Sequence, residues 1–233
     1  MSIHPFKEYI SDFVHFFYPV LCDSCKKPLM KNEKHLCLNC HLELPYTLFK
    51  NSSDNEMIKL LWGRVQIKYA NSLLYFKKNG MAQTLMHEIK YKGNQDLALY
   101  LGGLMAQKIS EEKLIFDMIV PVPLHLKKLK TRGFNQSAKI AEGFSNSSGI
   151  PLELNGIIRT INTETQTKKK RFERWENTDG KFFVTEPQKF KNKRIVLIDD
   201  VITTGATIEA CCSELVKAGA SEISIFTLCY ATF

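Results

Sequence analysis

The 233-residue sequence has no long uninterrupted apolar run. The apolar stretch at residues 13–22 is broken by His15 and Pro19, and charged residues such as Lys7 precede it. Neither a secretion signal nor a membrane-spanning helix is therefore expected. We expect a cytoplasmic protein in which this stretch either packs on its own domain or contacts the inner face of the membrane.

Internal repeats, low-complexity tracts and two common phosphate-binding motifs are also missing. The sequence contains no GxxxxGKS/T, and no GxGxxG follows an apolar strand, so it fits neither a P-loop nor a dinucleotide-binding motif. What remains is the composition of an ordinary globular protein, with 44% hydrophobic residues.

Positive charge exceeds negative charge. Thirty-two Lys and Arg residues against 24 Asp and Glu residues give a formal net charge of +8, which favours an anionic partner without distinguishing nucleotide, nucleic acid and acidic lipid. Basic residues cluster at residues 127–132 and 168–174, and a solvated surface explains each cluster as well as an anion site does. Aromatic residues suited to base stacking are not interleaved with them.

Four of the seven cysteines form two close pairs, CDSC and CLNC. Two such pairs supply the four thiolates that tetrahedral Zn²⁺ prefers, and they leave no position open for water, so we predict a structural zinc site. Disulfides or a redox site are disfavoured, because no secretion signal or adjoining βαβ pattern accompanies the cysteines. The predicted ligands are Cys22, Cys25, Cys37 and Cys40.

The zinc site predicts a small N-terminal module over residues 1–50 and a larger domain over residues 51–233. The polar stretch from Lys50 to Glu56 is the predicted linker. The larger domain alternates strand and helix, which indicates an α/β fold with a mostly parallel sheet. Helices are predicted at residues 81–90, 97–109, 135–145 and 207–217, strands at 116–122, 194–198 and 221–230, and a β-rich hairpin at 65–76.

The stretch VLIDDVITTGAT, residues 196–207, carries the strongest functional signal. Ligands of open α/β sheets collect at the carboxyl ends of the strands, where Asp199 and Asp200 would lie. The following turn enters a helix N-terminus, which favours an anion such as phosphate. Gly205 permits close approach of the backbone, and hydroxyl groups come from Thr203, Thr204 and Thr207. Carboxylates and an amide-rich turn together indicate a phosphorylated-ribose site.

This stretch resembles the motif by which type I phosphoribosyltransferases bind 5-phosphoribosyl 1-pyrophosphate (PRPP). The resemblance implies that Asp199 and Asp200 bind the ribose hydroxyls and that the loop over Thr203, Thr204, Gly205, Ala206 and Thr207 binds the 5′-phosphate. More of the chain is similar to one branch of that superfamily, the competence-associated ComF family with its GntX-like members. The supporting motifs are the four-cysteine module, IKYKGN at residues 89–94, VPVPL at 120–124, RGFNQS at 132–137 and RWEN at 174–177.

The resemblance also implies further contacts. In type I enzymes the loop at a place comparable to VPVPL receives the pyrophosphate, and Lys127, Lys128 and Arg132 follow it. A flexible loop closes over PRPP where this chain has its basic segment, residues 160–177, which makes Arg171 and Arg174 candidate contacts. Mg²⁺ is expected to accompany PRPP, held by carboxylates and pyrophosphate oxygens.

Two functions fit this sequence. As an enzyme, the protein would transfer the phosphoribosyl group to an acceptor that no residue identifies. As a non-catalytic module, it would sense PRPP while binding single-stranded DNA or a DNA-uptake partner, as a competence-associated family implies.

Overall fold

The computed structural model describes residues 18–49, 52–160 and 182–231. The described residues fall into two compact units, divided between Leu44 and Pro45. The boundary predicted after residue 50 therefore differs from this division by a few residues and stays a prediction. Arg171, Arg174 and most of the predicted flexible loop lie outside the described residues.

The described part of the smaller unit consists of turns around the two cysteine pairs and one short helix, α1 (Leu38–Leu42). Few of its side chains are buried, among them Cys22, Leu36 and Cys40. A unit with so small an apolar core needs another source of folding energy, such as a bound metal.

The larger unit alternates helices and strands. Along the chain these are α2 (Glu56–Leu61), β1 (Ala70–Phe76), α3 (Met81–Lys92), α4 (Gln95–Ser110), β2 (Met118–Pro121), α5 (Leu126–Arg132), α6 (Gln136–Ser148), β3 (Ile157–Arg159), β4 (Phe182–Val184), β5 (Arg194–Ile202), α7 (Ala206–Lys217) and β6 (Glu222–Ala231). None of the described helices is both long and apolar enough to span a membrane.

Four strands form a parallel sheet in the order β1-β6-β5-β2, and β3 pairs separately with β4 in antiparallel orientation. Residues 195–198 of β5 are fully buried, as expected for a central strand covered on both faces. The α/β fold with a mostly parallel sheet is thus confirmed.

The ends of the central strands are staggered. The last residue of β2, Pro121, pairs with Ile198 of β5, whereas β5 stays paired with β6 as far as Ile202. The two aspartates that follow Ile198 therefore belong to β5 and extend beyond the end of β2. Within the part of the chain that the structure describes, no strand pairs with this side of β5 at the two aspartates, so it can face a ligand.

The predicted hairpin at residues 65–76 is wrong. Only Ala70–Phe76 forms a strand, and it runs parallel to β6. Val65 and Ile67 are half-buried against the core without strand pairing. The segment has no Gly or Pro, and its turn-prone Asn71 and Ser72 lie within the strand, so the apolar residues that precede the strand serve packing.

The predicted linker is partly built into the larger unit. Ser52 is fully buried, and its backbone N–H and hydroxyl both donate to the Glu112 carboxylate. Asn55 caps α2 by accepting from Met57 and Ile58, and its amide donates to the Ala70 carbonyl. These polar residues are buried because each has hydrogen-bond partners there.

Candidate functional site

The two predicted ribose-binding carboxylates have different partners at the end of β5. Asp199 Oδ1 accepts hydrogen bonds from the Ser137 hydroxyl at 2.8 Å and from the Asp200 backbone N–H at 2.8 Å. Asp200 Oδ2 lies 2.8 Å from Lys90 Nζ. One carboxylate is thus fixed by the first turn of α6 and the other by the last turn of α3.

The environment of Asp199 disfavours its charge. Burial raises the pKa of Asp199 to about 7, and the charge of Asp200 adds to this effect, while the hydrogen bonds to Asp199 and the charge of Lys90 oppose it. Close to neutral pH the protonated and the charged form of this carboxyl group are therefore both populated. Hydrogen-bond donors or a cation brought by a ligand would favour the carboxylate.

The predicted phosphate loop lies between β5 and α7. Residues 201–208, together with Asp199, line a cavity of about 50 Å³. Since roughly 10–15 Å³ of such space holds one water molecule, this cavity accommodates a compact group of a few heavy atoms, such as a phosphate. The twelve-residue α7 begins at Ala206, and its first three residues line this cavity. The first backbone N–H groups of a helix lack helical acceptors and can bind an anion.

The loop is supported from α2 and the turn after it. Arg64 Nη1 donates to the Thr204 carbonyl at 2.5 Å, and Nε and Nη2 donate to Glu209 Oε2 at 3.0 Å and 2.5 Å. Gly205 has a φ of +79°, and a Cβ at this position would lie 2.6 Å from Leu61 Cδ2. Glycine is required here both for the left-handed backbone and for the close approach of Leu61.

A larger cavity of about 390 Å³ opens beside the acidic pair. It lies between α3 and the carboxyl ends of β1, β5 and β6, and it combines apolar walls with polar groups. Its size is that of a small-molecule site. The lining residues are Phe76, Gln83, Met86, His87, Lys90, Tyr91, Asp200, Val201, Thr203 and Ala231.

The predicted pyrophosphate contacts lie on α5, directly after VPVPL. Lys127 and Lys128 are exposed on this helix. Arg132 is half-buried, donates to Gln136 Oε1 at 2.9 Å and places its guanidinium 5.8 Å from the centre of the Tyr91 ring. Because Tyr91 lines the larger cavity, Arg132 reaches the edge of that cavity.

Two of the family-like motifs are joined by hydrogen bonds near the acidic pair. The Val122 N–H donates to the Ile198 carbonyl at 2.8 Å, which holds VPVPL beside β5. Asn135 of RGFNQS donates to the Val122 carbonyl at 3.0 Å and caps α6 by accepting from the Ser137 N–H. The same capped turn then presents the Ser137 hydroxyl to Asp199.

Sequence analysis missed three residues of this site. Lys90 and Ser137 lie inside motifs that carried the family resemblance, but nothing in those motifs assigned them to the aspartates. Arg64 lies in a stretch without any motif, and no sequence signal identifies it as a support of the phosphate loop.

The four predicted metal ligands cluster in the smaller unit. The sulfur atoms of Cys22, Cys25, Cys37 and Cys40 lie within 4.8 Å of one another. Cys25 Sγ and Cys37 Sγ are 3.7 Å apart, close to the roughly 3.8 Å edge of a tetrahedron with Zn–S bonds of about 2.3 Å. A disulfide would need about 2.05 Å, so the geometry fits a shared metal ion.

Cys22, the first cysteine of the cluster, also stabilises negative charge on its sulfur. Burial raises the pKa of Cys22, but hydrogen bonds from the backbone of Cys25, Cys37 and Ser24 outweigh burial and lower this pKa to about 7. A thiolate is the form that binds a metal.

Comparison with known proteins identifies relatives of the chain. A family model described as "Phosphoribosyl transferase domain" matches residues 97–232. Competence protein ComFC of Bacillus subtilis (strain 168) is 30% identical over 212 residues, which cover 89% of this chain and 83% of that protein. DNA utilization protein YhgH of Salmonella typhimurium (strain LT2) is 29% identical over 150 residues, which cover 62% of this chain and 65% of that protein, just under two thirds of its length.

A solved structure of glutamine phosphoribosylpyrophosphate amidotransferase from B. subtilis is also similar. It is 26% identical, and the match covers 56% of this chain and 25% of that chain with a TM-score of 0.40.

Proposed function

The chain belongs to the phosphoribosyl transferase domain family and, within it, to the ComF family of competence-associated proteins, and from this premise we propose that it binds PRPP at the end of β5 and transfers its phosphoribosyl group. The observation that carries the proposal is the arrangement around Asp200. The acidic pair, a cavity of phosphate size and a larger cavity adjoin one another at one strand end.

Each part of PRPP has a candidate partner. Asp199 and Asp200 accept hydrogen bonds from the ribose hydroxyls, and the loop at residues 203–207 binds the 5′-phosphate through backbone N–H groups and threonine hydroxyls. Arg132 at the cavity edge neutralises the pyrophosphate, with Lys127 and Lys128 on the same helix. Arg171 and Arg174, outside the described residues, stay predicted contacts.

The larger cavity is our candidate site for the acceptor. It borders Asp200, so a ribose held there lies beside cavity walls that include Phe76, Met86 and Tyr91. A nucleophile bound against these walls attacks C1 while the C1–O bond to pyrophosphate breaks, and the basic residues stabilise the negative charge that develops on the leaving group.

Two metal ions fit the side chains. Asp199 and Asp200 are oxygen donors of the kind that Mg²⁺ uses together with substrate phosphates, and Mg²⁺ would further neutralise the pyrophosphate. The four clustered cysteines would hold one Zn²⁺, which contributes on the order of 10 kcal/mol to folding in small zinc modules. We therefore propose Zn²⁺ as structural and Mg²⁺ as part of the substrate complex.

Pyrophosphate release tests the enzymatic proposal. Purified protein with Mg²⁺ and PRPP is incubated with a panel of nucleobases and amines, and PRPP binding is measured separately by calorimetry. We expect Asp200→Asn to abolish binding, whereas Asp54→Asn, the same charge change at an exposed residue, leaves it intact. A wild-type protein that does not bind PRPP contradicts the proposal, and binding without release for any acceptor favours PRPP sensing over transfer.

A link to DNA uptake is proposed from the relatives and from charge. The names of two relatives refer to competence and to DNA utilization, and the net charge of +8 is compatible with an anionic partner such as DNA. Binding to single-stranded DNA, measured by fluorescence anisotropy, should lose log affinity linearly with log salt concentration. Absence of binding at low salt contradicts direct DNA contact.

A further inference from the structure

The ion pair between Lys90 and Asp200 lies inside the proposed substrate site. Lys90 Nζ is 2.8 Å from Asp200 Oδ2, and only 20% and 16% of the two side chains are exposed. Both residues line the 390 Å³ cavity. Both residues also act on Asp199, whose pKa is raised by the charge of Asp200 and lowered by that of Lys90.

This ion pair competes with the ligand. The carboxylate that would accept the ribose hydroxyls already has a cationic partner, so a sugar has to share or displace it. A mostly buried carboxylate is costly without a counter-charge, so Lys90 stabilises Asp200 as long as no ligand is present. A lysine has three donors on a flexible four-carbon chain and can change partners while its helix stays in place.

A pyrophosphate group offers Lys90 a better partner. The group carries several negative charges, whereas Asp200 carries one, and Coulomb attraction at a similar distance grows with the charge of the partner. The last turn of α3 also lies beside the basic edge of the cavity, because the ring of Tyr91, next to Lys90 in sequence, is contacted by the Arg132 guanidinium. Lys90 and Tyr91 both line this cavity, so a pyrophosphate bound in it beside Arg132 lies on the side of α3 from which Lys90 extends.

We propose that Lys90 is an exchangeable counter-ion: it pairs with Asp200 in the free protein, moves to the pyrophosphate oxygens when PRPP binds, and thereby releases Asp200 for the ribose hydroxyls. The inference rests on the proposed PRPP site. It makes Lys90 a specificity-determining residue. Ribose 5-phosphate gives the lysine no new partner and must compete with it for Asp200, whereas PRPP compensates for the lost ion pair.

Calorimetry with two ligands tests this exchange. Binding of PRPP and of ribose 5-phosphate, both in the presence of Mg²⁺, is measured for the wild-type protein, for Lys90→Met, which keeps most of the side-chain length without the charge, and for Lys78→Met. Lys78 is an exposed lysine just before α3, so it controls for the loss of one positive charge.

The affinities for the two ligands should respond differently to the loss of Lys90. Lys90→Met is expected to weaken PRPP binding by up to roughly tenfold, because the variant loses the charged hydrogen bond to pyrophosphate but no longer has to break the ion pair with Asp200. It is expected to leave ribose 5-phosphate binding unchanged or tighter, because Asp200 is free. Lys78→Met should change neither affinity. Lys90→Arg is a second variant that keeps the charge, and it provides a test even if Lys90→Met does not fold. It should retain the preference for PRPP.

Three results would overturn the inference. Equal weakening of both ligands by Lys90→Met means that Lys90 only maintains the shape of the site. Loss of the PRPP preference in Lys90→Arg would likewise mean that residue 90 does not exchange its charge between Asp200 and the pyrophosphate. A wild-type protein that binds ribose 5-phosphate but not PRPP overturns the proposed function itself. This result is distinct from the first two, in which PRPP still binds and only the exchange of Lys90 is refuted.

Discussion

Gly205→Ala tests the support of the phosphate loop. Gly205 has a φ of +79°, a region that costs an L-residue about 1–2 kcal/mol. The added Cβ would also lie 2.6 Å from Leu61 Cδ2, and Leu61 is fully buried, so it cannot move into solvent. Overpacking of this kind costs about 1–3 kcal/mol. We expect the free energy of unfolding to fall by about 2–5 kcal/mol if the two effects add.

Gly93→Ala is the matched control. Gly93 has a similar φ of +69°, but an added Cβ meets nothing within 4 Å, so only the backbone cost of about 1–2 kcal/mol applies. The difference between the two variants isolates the contact with Leu61. The difference in stability should disappear in a Leu61→Ala background, because the space that the new Cβ needs is vacated there. A double-mutant cycle of Gly205→Ala and Leu61→Ala should then give a coupling energy of about 1–3 kcal/mol.

Urea unfolding measures both quantities. Stability is compared through the denaturation midpoint, with an unchanged m-value as the sign that the folded and unfolded states are otherwise comparable. The reasoning is refuted if Gly205→Ala destabilises no more than Gly93→Ala, or if the cost of Gly205→Ala is the same with and without the Leu61 side chain.

Three further predictions concern metal content and pH. Cys37→Ser should abolish the one zinc per chain expected from elemental analysis and unfold the N-terminal module while PRPP binding persists; zinc retained in the variant would contradict the cluster as the ligand set. The pKa of Asp199 is raised to about 7 in the folded protein, so the folded state binds more protons than the unfolded state, and stability should fall as pH rises from about 4 to 7. Urea midpoints across that range should change less in Asp199→Asn, and an identical slope would argue against a protonated Asp199. The hydrogen-bonded Arg194 lowers the pKa of Asp117, so this pair stabilises the fold above about pH 4 and the contribution is lost as pH falls. Asp117→Asn should therefore lower stability at pH 7 and reduce the loss in acid, as followed by circular dichroism.

Local patterns predicted most of the fold. The helices over residues 81–90, 97–109 and 207–217 were confirmed because their apolar residues repeat at helical spacing. The buried run at residues 194–198 identified the central strand. The hairpin at 65–76 was wrong because β-rich composition does not distinguish a paired strand from a segment that only packs on the core.

Burial of polar residues was not predicted by composition. Ser52 and Asn55 were assigned to a linker, yet both are buried through hydrogen bonds with groups far away in sequence, such as Glu112. A polar side chain is buried when the fold supplies its partners, and those partners cannot be read from neighbouring residues.

The sequence by itself determined the groups whose members are close along the chain. Short turns, whose geometry depends on a few local residues, bring these groups together. They are the cysteine cluster of Cys22, Cys25, Cys37 and Cys40 and the residues from Asp199 to Thr207. The tertiary structure alone decided which distant side chains complete these groups. Ser137 reaches Asp199 across 62 positions, and Arg64 reaches Thr204 across 140. Such pairings depend on strand order and helix packing, because parallel strands bring remote segments to the same edge of the sheet. The pairing of Lys90 with Asp200 arises in the same way.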